Sequence, residues 1–280
     1  MLKRLFLLLI MLLSLSSCSP PDAAIQKAIK ETQLPTITTA HALDLGSTQT
    51  REKDGMLMVY VPPGSFTMGS EIGSDNEKPA HQVTLDAFWM DQTEVTNGKY
   101  ARCVQTGGCL PPSNTSSSTH SSYYGNAIYA EYPVINVNWN QAKVYCEWAG
   151  ARLPTEAEWE KAARGTDGRT YPWGEGIDKT KANYNQDVGD TTAVGTYPTG
   201  ASPYTALDMA GNVWEWVADW YGAYSASSAS NPTGPVSGDY QVLRGGSWSD
   251  IDNGNRSADR DRDGPTVTDD YGGFRCARSQ

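Results

Sequence analysis

Basic residues are in short supply in this 280-residue chain. Lys and Arg number 22 against 32 Asp and Glu, for a formal net charge of −10. Nucleic-acid binding rests on basic faces that neutralise phosphates, so no nucleic-acid partner is expected. Histidine is scarcer still: His41, His81 and His120 are scattered, with no pair at metal-ligand spacing. No GxxxxGK[ST] or GxGxxG run supplies a phosphate cradle. No GxSxG elbow presents Ser65 or Ser247 as a nucleophile. Phenylalanine is rare, with 4 beside 9 Trp and 15 Tyr. What is plentiful is glycine (27) and proline (16), which points to a loop-rich globular domain rather than a helical bundle. The acidic balance is compatible with bound divalent cations, which take carboxylate and carbonyl oxygens.

The N-terminus reads as an address. Lys3 and Arg4 precede an apolar run that ends at Leu13. That run is too short to span a bilayer, which takes about 20 apolar residues. It fits a secretory leader. Leu15-Ser16-Ser17-Cys18 resembles a bacterial lipobox, in which the leader is cut before the cysteine and the thiol is acylated. Several acyl chains anchor far better than one. The expected layout is a leader at 1–17, a tether at 18–54 lipidated on Cys18 with a short helix at 23–32, and a domain at 55–280. The chain is therefore expected to be exported and membrane-anchored through lipid. Ser19 after the cysteine does not favour inner-membrane retention, so the outer membrane or cell surface is the expected location.

Five cysteines are an odd count for an exported protein. Acylation removes Cys18 from the thiol pool. Cys103, Cys109, Cys146 and Cys276 remain, in a compartment where disulfides persist, with three possible pairings. Gly107-Gly108 can turn the chain between Cys103 and Cys109, which would leave Cys146 for Cys276. No CxxC occurs and no histidine neighbours these cysteines, so disulfides are favoured over a metal or redox site.

Strands are expected at 57–61 and 82–88 from their apolar and alternating patterns. Thr96 is placed to cap a helix over 97–104. Asn138 with Gln141, and Thr155 with Glu158, form capping boxes that open helices ending near Ala149 and Arg164. Residues 110–132 read as an exposed loop. Short strands are expected at 213–217 and 240–243 among long loops. Trp214, Trp216 and Trp220 are expected in the core.

Several blocks now carry a resemblance. Met58-Val59-Tyr60-Val61-Pro62-Pro63-Gly64-Ser65-Phe66-Thr67-Met68-Gly69 is followed by Val83-Thr84-Leu85-Asp86-Ala87-Phe88 and Glu94-Val95-Thr96-Asn97. The most specific run is Trp148-Ala149-Gly150-Ala151-Arg152-Leu153-Pro154-Thr155-Glu156-Ala157-Glu158-Trp159-Glu160. Tyr171-Pro172-Trp173-Gly174, Gly211-Asn212-Val213-Trp214-Glu215-Trp216, Arg244-Gly245-Gly246-Ser247-Trp248 and Gly273-Phe274-Arg275-Cys276 complete the series. In this order the blocks resemble the formylglycine-generating-enzyme (sulfatase-modifying factor) family over nearly all of 55–280. The resemblance implies an α+β fold, a loop-rich variant of the C-type-lectin-like fold. It also implies a disulfide between Cys146 and Cys276.

The family's enzymes are copper-dependent oxidases that convert a substrate cysteine to formylglycine, with Cu(I) held by two cysteines just past the Gly-Gly-Ser block. Thiolates suit that ion. At the matching positions this chain has Asp250 and Asn255. The reading is therefore against copper and against formylglycine generation. It leans away from an enzyme, with no catalytic residue assigned. Trp248, Asp250, Asp252, Asn255 and Arg256 form a candidate ligand rim, followed by the charge run 259–263, which alone reads as a solvated loop. The resemblance further implies structural calcium. One site would take the side chains of Asp208 and Glu215 with carbonyls of Gly211 and Val213. A second would take Asn183, the carbonyl of Tyr184 and an acid from Asp187 or Asp190, a choice left open. The leading expectation is a membrane-anchored, calcium-stabilised binding or assembly module for a protein or glycan partner. The alternatives are an oxidoreductase with an altered site and a lectin-like carbohydrate binder.

Overall fold

Leu57-Met58-Val59-Tyr60-Val61 is a β-branched and aromatic run, and it forms the interior strand β2 (Leu57–Val61) of a four-stranded sheet. The computed structural model describes residues 43–280. The expected leader, the expected lipidation at Cys18 and the helix expected at 23–32 all fall outside the described residues. In this sheet β1 (Thr48–Thr50) pairs with β2, β2 with β5 (Phe88–Asp91), and β5 with β11 (Ala277–Ser279), all antiparallel. A three-stranded sheet joins β3 (Gly64–Met68), β4 (His81–Leu85) and β7 (Ala229–Ser230). A second four-stranded sheet has the order β10 (Gly272–Gly273), β6 (Trp214–Trp220), β8 (Gln241–Arg244), β9 (Arg260–Asp263).

Three helices sit where their caps predict. In α1 (Asn97–Gln105) the Thr96 side chain accepts from the Lys99 amide. The capping boxes of Asn138 and Thr155 are both formed, opening α2 (Trp139–Trp148) and α3 (Glu156–Arg164). Gly165, at φ 72°, ends α3. Every residue of α3 is buried, including five ionisable ones. Each of those five finds a partner. Glu156 pairs with Arg260, Glu158 with Arg152, and Glu160 with both Arg164 and Arg244. Lys161 donates to the carbonyls of Pro62 and Gly64 at 2.8 and 2.9 Å.

The main apolar cluster lies around α3 and joins Val59, Phe66, Val83, Met90, Trp159 and Val217. A second cluster packs α1 and α2 against Trp214, Trp216 and Phe274. Within it Cys146 bonds to Cys276 with Cα atoms 5.6 Å apart, and Cys103 bonds to Cys109 nearby. Trp214 and Trp216 are buried as expected, while Trp220 is partly exposed.

Three expectations need correction. The domain begins near Leu43 rather than at Gly55. β1 adds an edge strand, and Arg51 and Asp54 are buried in a triad with Asp91, at 2.6 Å on each side of Arg51. The strand expected over 82–88 breaks at Asp86 and Ala87 into β4 and β5, which belong to different sheets. β3 follows directly on the Pro62-Pro63 break. The charge run 259–263 is not a loop: residues 260–263 of it form strand β9, paired with β8, with Arg260 buried and Asp261 and Arg262 exposed.

Candidate functional site

Past β8 the chain turns through Gly245 and Gly246. A side chain at Gly246 would place its Cβ 2.5 Å from both Asn255 Oδ1 and the Gly254 carbonyl, so this close approach requires glycine. The turn aims Asp250 inward. Its Oδ2 accepts from Ser247 N at 3.0 Å, from Trp214 Nε1 at 2.9 Å and from the Ser247 hydroxyl. Asn255 is fully buried and donates to the carbonyls of Ile251 (2.8 Å) and Asp250 (3.3 Å). Both side chains therefore close the loop that carries them.

The expected rim divides accordingly. Asn255 and Trp248 are buried, and Trp248 Nε1 donates to the Asp270 carbonyl at 3.4 Å. Asp250 is half-buried and Asp252 exposed. Arg256 turns away from them and grips Glu77 through two nitrogens, at 2.6 and 2.9 Å. That bidentate pair holds the Glu77 carboxyl below its ordinary range against the opposing effect of burial.

Behind Trp214, β6 carries Glu215 into the interior. Its carboxylate accepts from Arg275 Nε and Nη2, each at 2.7 Å, and from Trp159 Nε1 at 2.8 Å. Asp208 approaches from a left-handed turn at φ 56°, and its Oδ2 accepts from Gly195 N at 2.6 Å. Gly211 fits tightly here: a Cβ would lie 2.2 Å from the Asn183 carbonyl. Opposite Asp208 stands Glu94. One of its oxygens accepts from Asn212 Nδ2 at 2.9 Å, and the other, Oε2, has no partner. Burial, then the Asp208 charge, raises the Glu94 carboxyl well above the usual range. Burial raises Asp208 as well. Asn183 Oδ1, also buried, is likewise without a partner. Three buried carboxyls thus meet a single buried guanidinium, an imbalance that a proton or a cation would relieve.

Comparison with known proteins places this architecture. The model of the sulfatase-modifying factor enzyme 1-like domain matches residues 44–280. The chain belongs to the sulfatase-modifying factor family. Among its relatives, the serine/threonine-protein kinase pkn1 of Chlamydia caviae is 39% identical over 79% of this chain, which spans 38% of that protein's length. The formylglycine-generating enzyme of Mus musculus is 33% identical over 79% of this chain and 74% of its own length. The solved structure of PvdO from Pseudomonas aeruginosa superposes with a TM-score of 0.72 at 30% identity, covering 85% of this chain and all of that one.

Measured against the family's copper chemistry, the donors at Asp250 and Asn255 do not fit. Both offer hard oxygen donors, Asp250 Oδ2 already accepting from Trp214 and Ser247 and Asn255 Oδ1 left without a partner, and the four cysteines among the described residues are joined in disulfides. A hard cation fits the interior site better. No three acidic, histidine or cysteine side chains converge as a ready metal cluster among the described residues. Calcium would draw instead on Glu94 and Asp208, the Asn183 amide oxygen, and carbonyls of the turn bearing Gly211 and Val213, a ligand mix suited to that ion. Glu215 arrives already neutralised by Arg275, so the acid left in need of a cation is Glu94. Glu94 stood in a family block, but nothing in its local sequence marked it as facing Asp208.

The second calcium set does not assemble. Asp187 is partnered by Lys179 near the surface. Asp190 is used to pin the 117–119 turn, accepting from Ser117 Oγ (2.6 Å), Thr119 N (2.9 Å) and Thr119 Oγ1 (2.7 Å). Those bonds lower its carboxyl despite burial. The Tyr184 carbonyl accepts from Asp187 N at 3.1 Å. Asn183 packs beside Gly211 and Asn212, and so belongs to the first site.

Proposed function

We propose that this chain is an exported, lipid-anchored protein whose family domain acts as a calcium-stabilised binding or assembly module, and not as a formylglycine-generating oxidase. The observation that carries this reading is that oxygen and nitrogen groups, Asp250 and Asn255, stand at the family's thiolate positions, hydrogen-bonded within their loop and to Trp214. With every described cysteine in a disulfide, no thiolate pair is left for Cu(I) at that place. Calcium is supported by the unpartnered, buried oxygens of Glu94 and Asn183 beside Asp208. The anchor rests on the lipobox at Cys18, and it would hold the domain at an outer membrane or cell surface, where it meets a protein or glycan partner. The alternative is an oxidoreductase with an altered site, which draws on the catalytic name of the mouse relative.

Oxygen uptake separates the two. The chain loaded with Cu(I) and offered a cysteine-containing sulfatase-type peptide should consume no oxygen above the peptide-free rate. Uptake that scales with the protein, with near-stoichiometric copper retained, would replace the module reading by the enzyme.

A further inference from the structure

A cavity of about 400 Å³ opens between the turn at residues 70–74 and the loop carrying Asn253 and Arg256. That volume lies in the range of small-ligand sites. Its wall includes the hydroxyls of Ser70 and Ser74, the Asn253 amide and two guanidiniums, Arg164 and Arg256, with no carboxylate among the lining residues. In a chain of net charge −10 this lining runs against the overall sign.

The charge beneath the wall has the same sense. Glu160 is shared: Oε1 accepts from Arg164 at 2.9 Å, and Oε2 from Arg244 at 2.6 Å. Glu156 is held through both oxygens by Arg260 and lies 3.7 Å from Arg244. Three buried guanidiniums therefore face two buried carboxylates. Asp219 borders the same cluster, but burial and the neighbouring Glu156 push its carboxyl up to about 8, so near neutrality it stays largely protonated. Arg256 is already balanced by Glu77, with Asp259 at 3.3 Å.

Arg164 links this excess to the cavity. It is 7% exposed and lines the wall. Nη1 donates to the Gly69 carbonyl and Glu160, Nη2 donates to the Gly168 carbonyl, and the Nε–H has no acceptor. A guanidinium carries five donors in a fixed plane, so capacity remains for a further oxygen ligand. Ser70 Oγ already accepts from the amides of Ile72 and Gly73, which leaves its own O–H to donate.

We propose that this cavity binds an oxyanion group, a carboxylate or a phosphate, with Arg164 as the buried anchor and Ser70, Ser74 and the Asn253 amide as neutral donors at the mouth. The proposal names the ligand chemistry of the binding module and rests on that reading for its purpose.

Isothermal titration of the full chain at low salt, with citrate and with inorganic phosphate as probes, tests it. Saturable binding of either probe is expected, and the tighter of the two assigns carboxylate or phosphate. Arg164→Gln should abolish binding, but it also frees two backbone carbonyls. Asn253→Asp is therefore the decisive variant: its side chain makes no hydrogen bond among the described residues, and it adds a negative charge at the mouth. Its affinity for the same probe should fall about tenfold, with an unchanged circular dichroism spectrum. No saturable binding of either anion, or equal affinity in the wild type and Asn253→Asp, would overturn the inference. That result would leave the module reading intact, since that reading is tested separately, by copper-dependent oxygen uptake and by metal content.

Discussion

At the entry to α3 the Asp219 carboxylate accepts the Glu156 amide at 2.9 Å. Burial, then the Glu156 charge, raises its pKa to about 8. The folded chain thus keeps a proton that the unfolded chain releases near pH 4. Stability from this proton is complete at low pH and is lost as pH rises from about 4 to about 8. Asp259, raised to about 7 by burial and Glu77, acts in the same direction. Urea midpoints measured from pH 5 to pH 9 should therefore fall with rising pH. Asp219→Asn should flatten that slope and exceed the wild type in stability at pH 9. A slope unchanged by the substitution would show that Asp219 titrates normally in the fold. Glu94 teaches the complementary lesson. Its neighbours in sequence are ordinary, and its role comes wholly from Asp208, more than a hundred positions away, closing on it in the interior.

The helices were legible because their signals are local. Thr96, Asn138 and Thr155 each bond amides within three residues, so spacing alone reveals them. Burial of α3 was not legible, because its charges read as a solvent face until Arg152, Arg244 and Arg260 arrive from distant segments. β9 was hidden for the same reason: Arg260-Asp261-Arg262-Asp263 carries no apolar alternation, and its place is set by pairing with β8. The site's positions could be read from the family blocks, but the directions of Asn255, Arg256 and Glu215 could not, since each is set by a partner remote in sequence or by loop closure. The N-terminal boundary fails in sequence because Arg51 and Asp54 look like tether residues. Both are buried with Asp91. A chain starting at Gly55 should lose about 3–5 kcal/mol relative to one starting at Leu43, because Asp91 is left buried without its cation. Equal urea stability of the two would return residues 43–54 to the tether.

On the scale of the whole molecule, the far end of the sequence completes the sheet begun at its near end, with β11 on β5 and β5 on β2. The Cys146–Cys276 bond fixes α2 to the segment entering β11 across a sequence separation of 130. On a chain-entropy view, closing so long a loop stabilises by about 4–5 kcal/mol, whereas the six-residue separation of Cys103 and Cys109 gives about 2 kcal/mol. The Cys146→Ser/Cys276→Ser double variant should therefore lose more stability than Cys103→Ser/Cys109→Ser, read from denaturation midpoints. The reverse order would locate the stabilising effect in local strain or packing instead.

The central claim is that this family domain has a hard-cation site and no copper site. Metal content of the purified protein by mass spectrometry, with a free-thiol count on the same sample, tests it most directly. The expected result is about one calcium per chain, no stoichiometric copper or iron, and no free thiol in the domain. Near-stoichiometric copper or iron, or a free thiol pair, would contradict the account and point to oxidative chemistry.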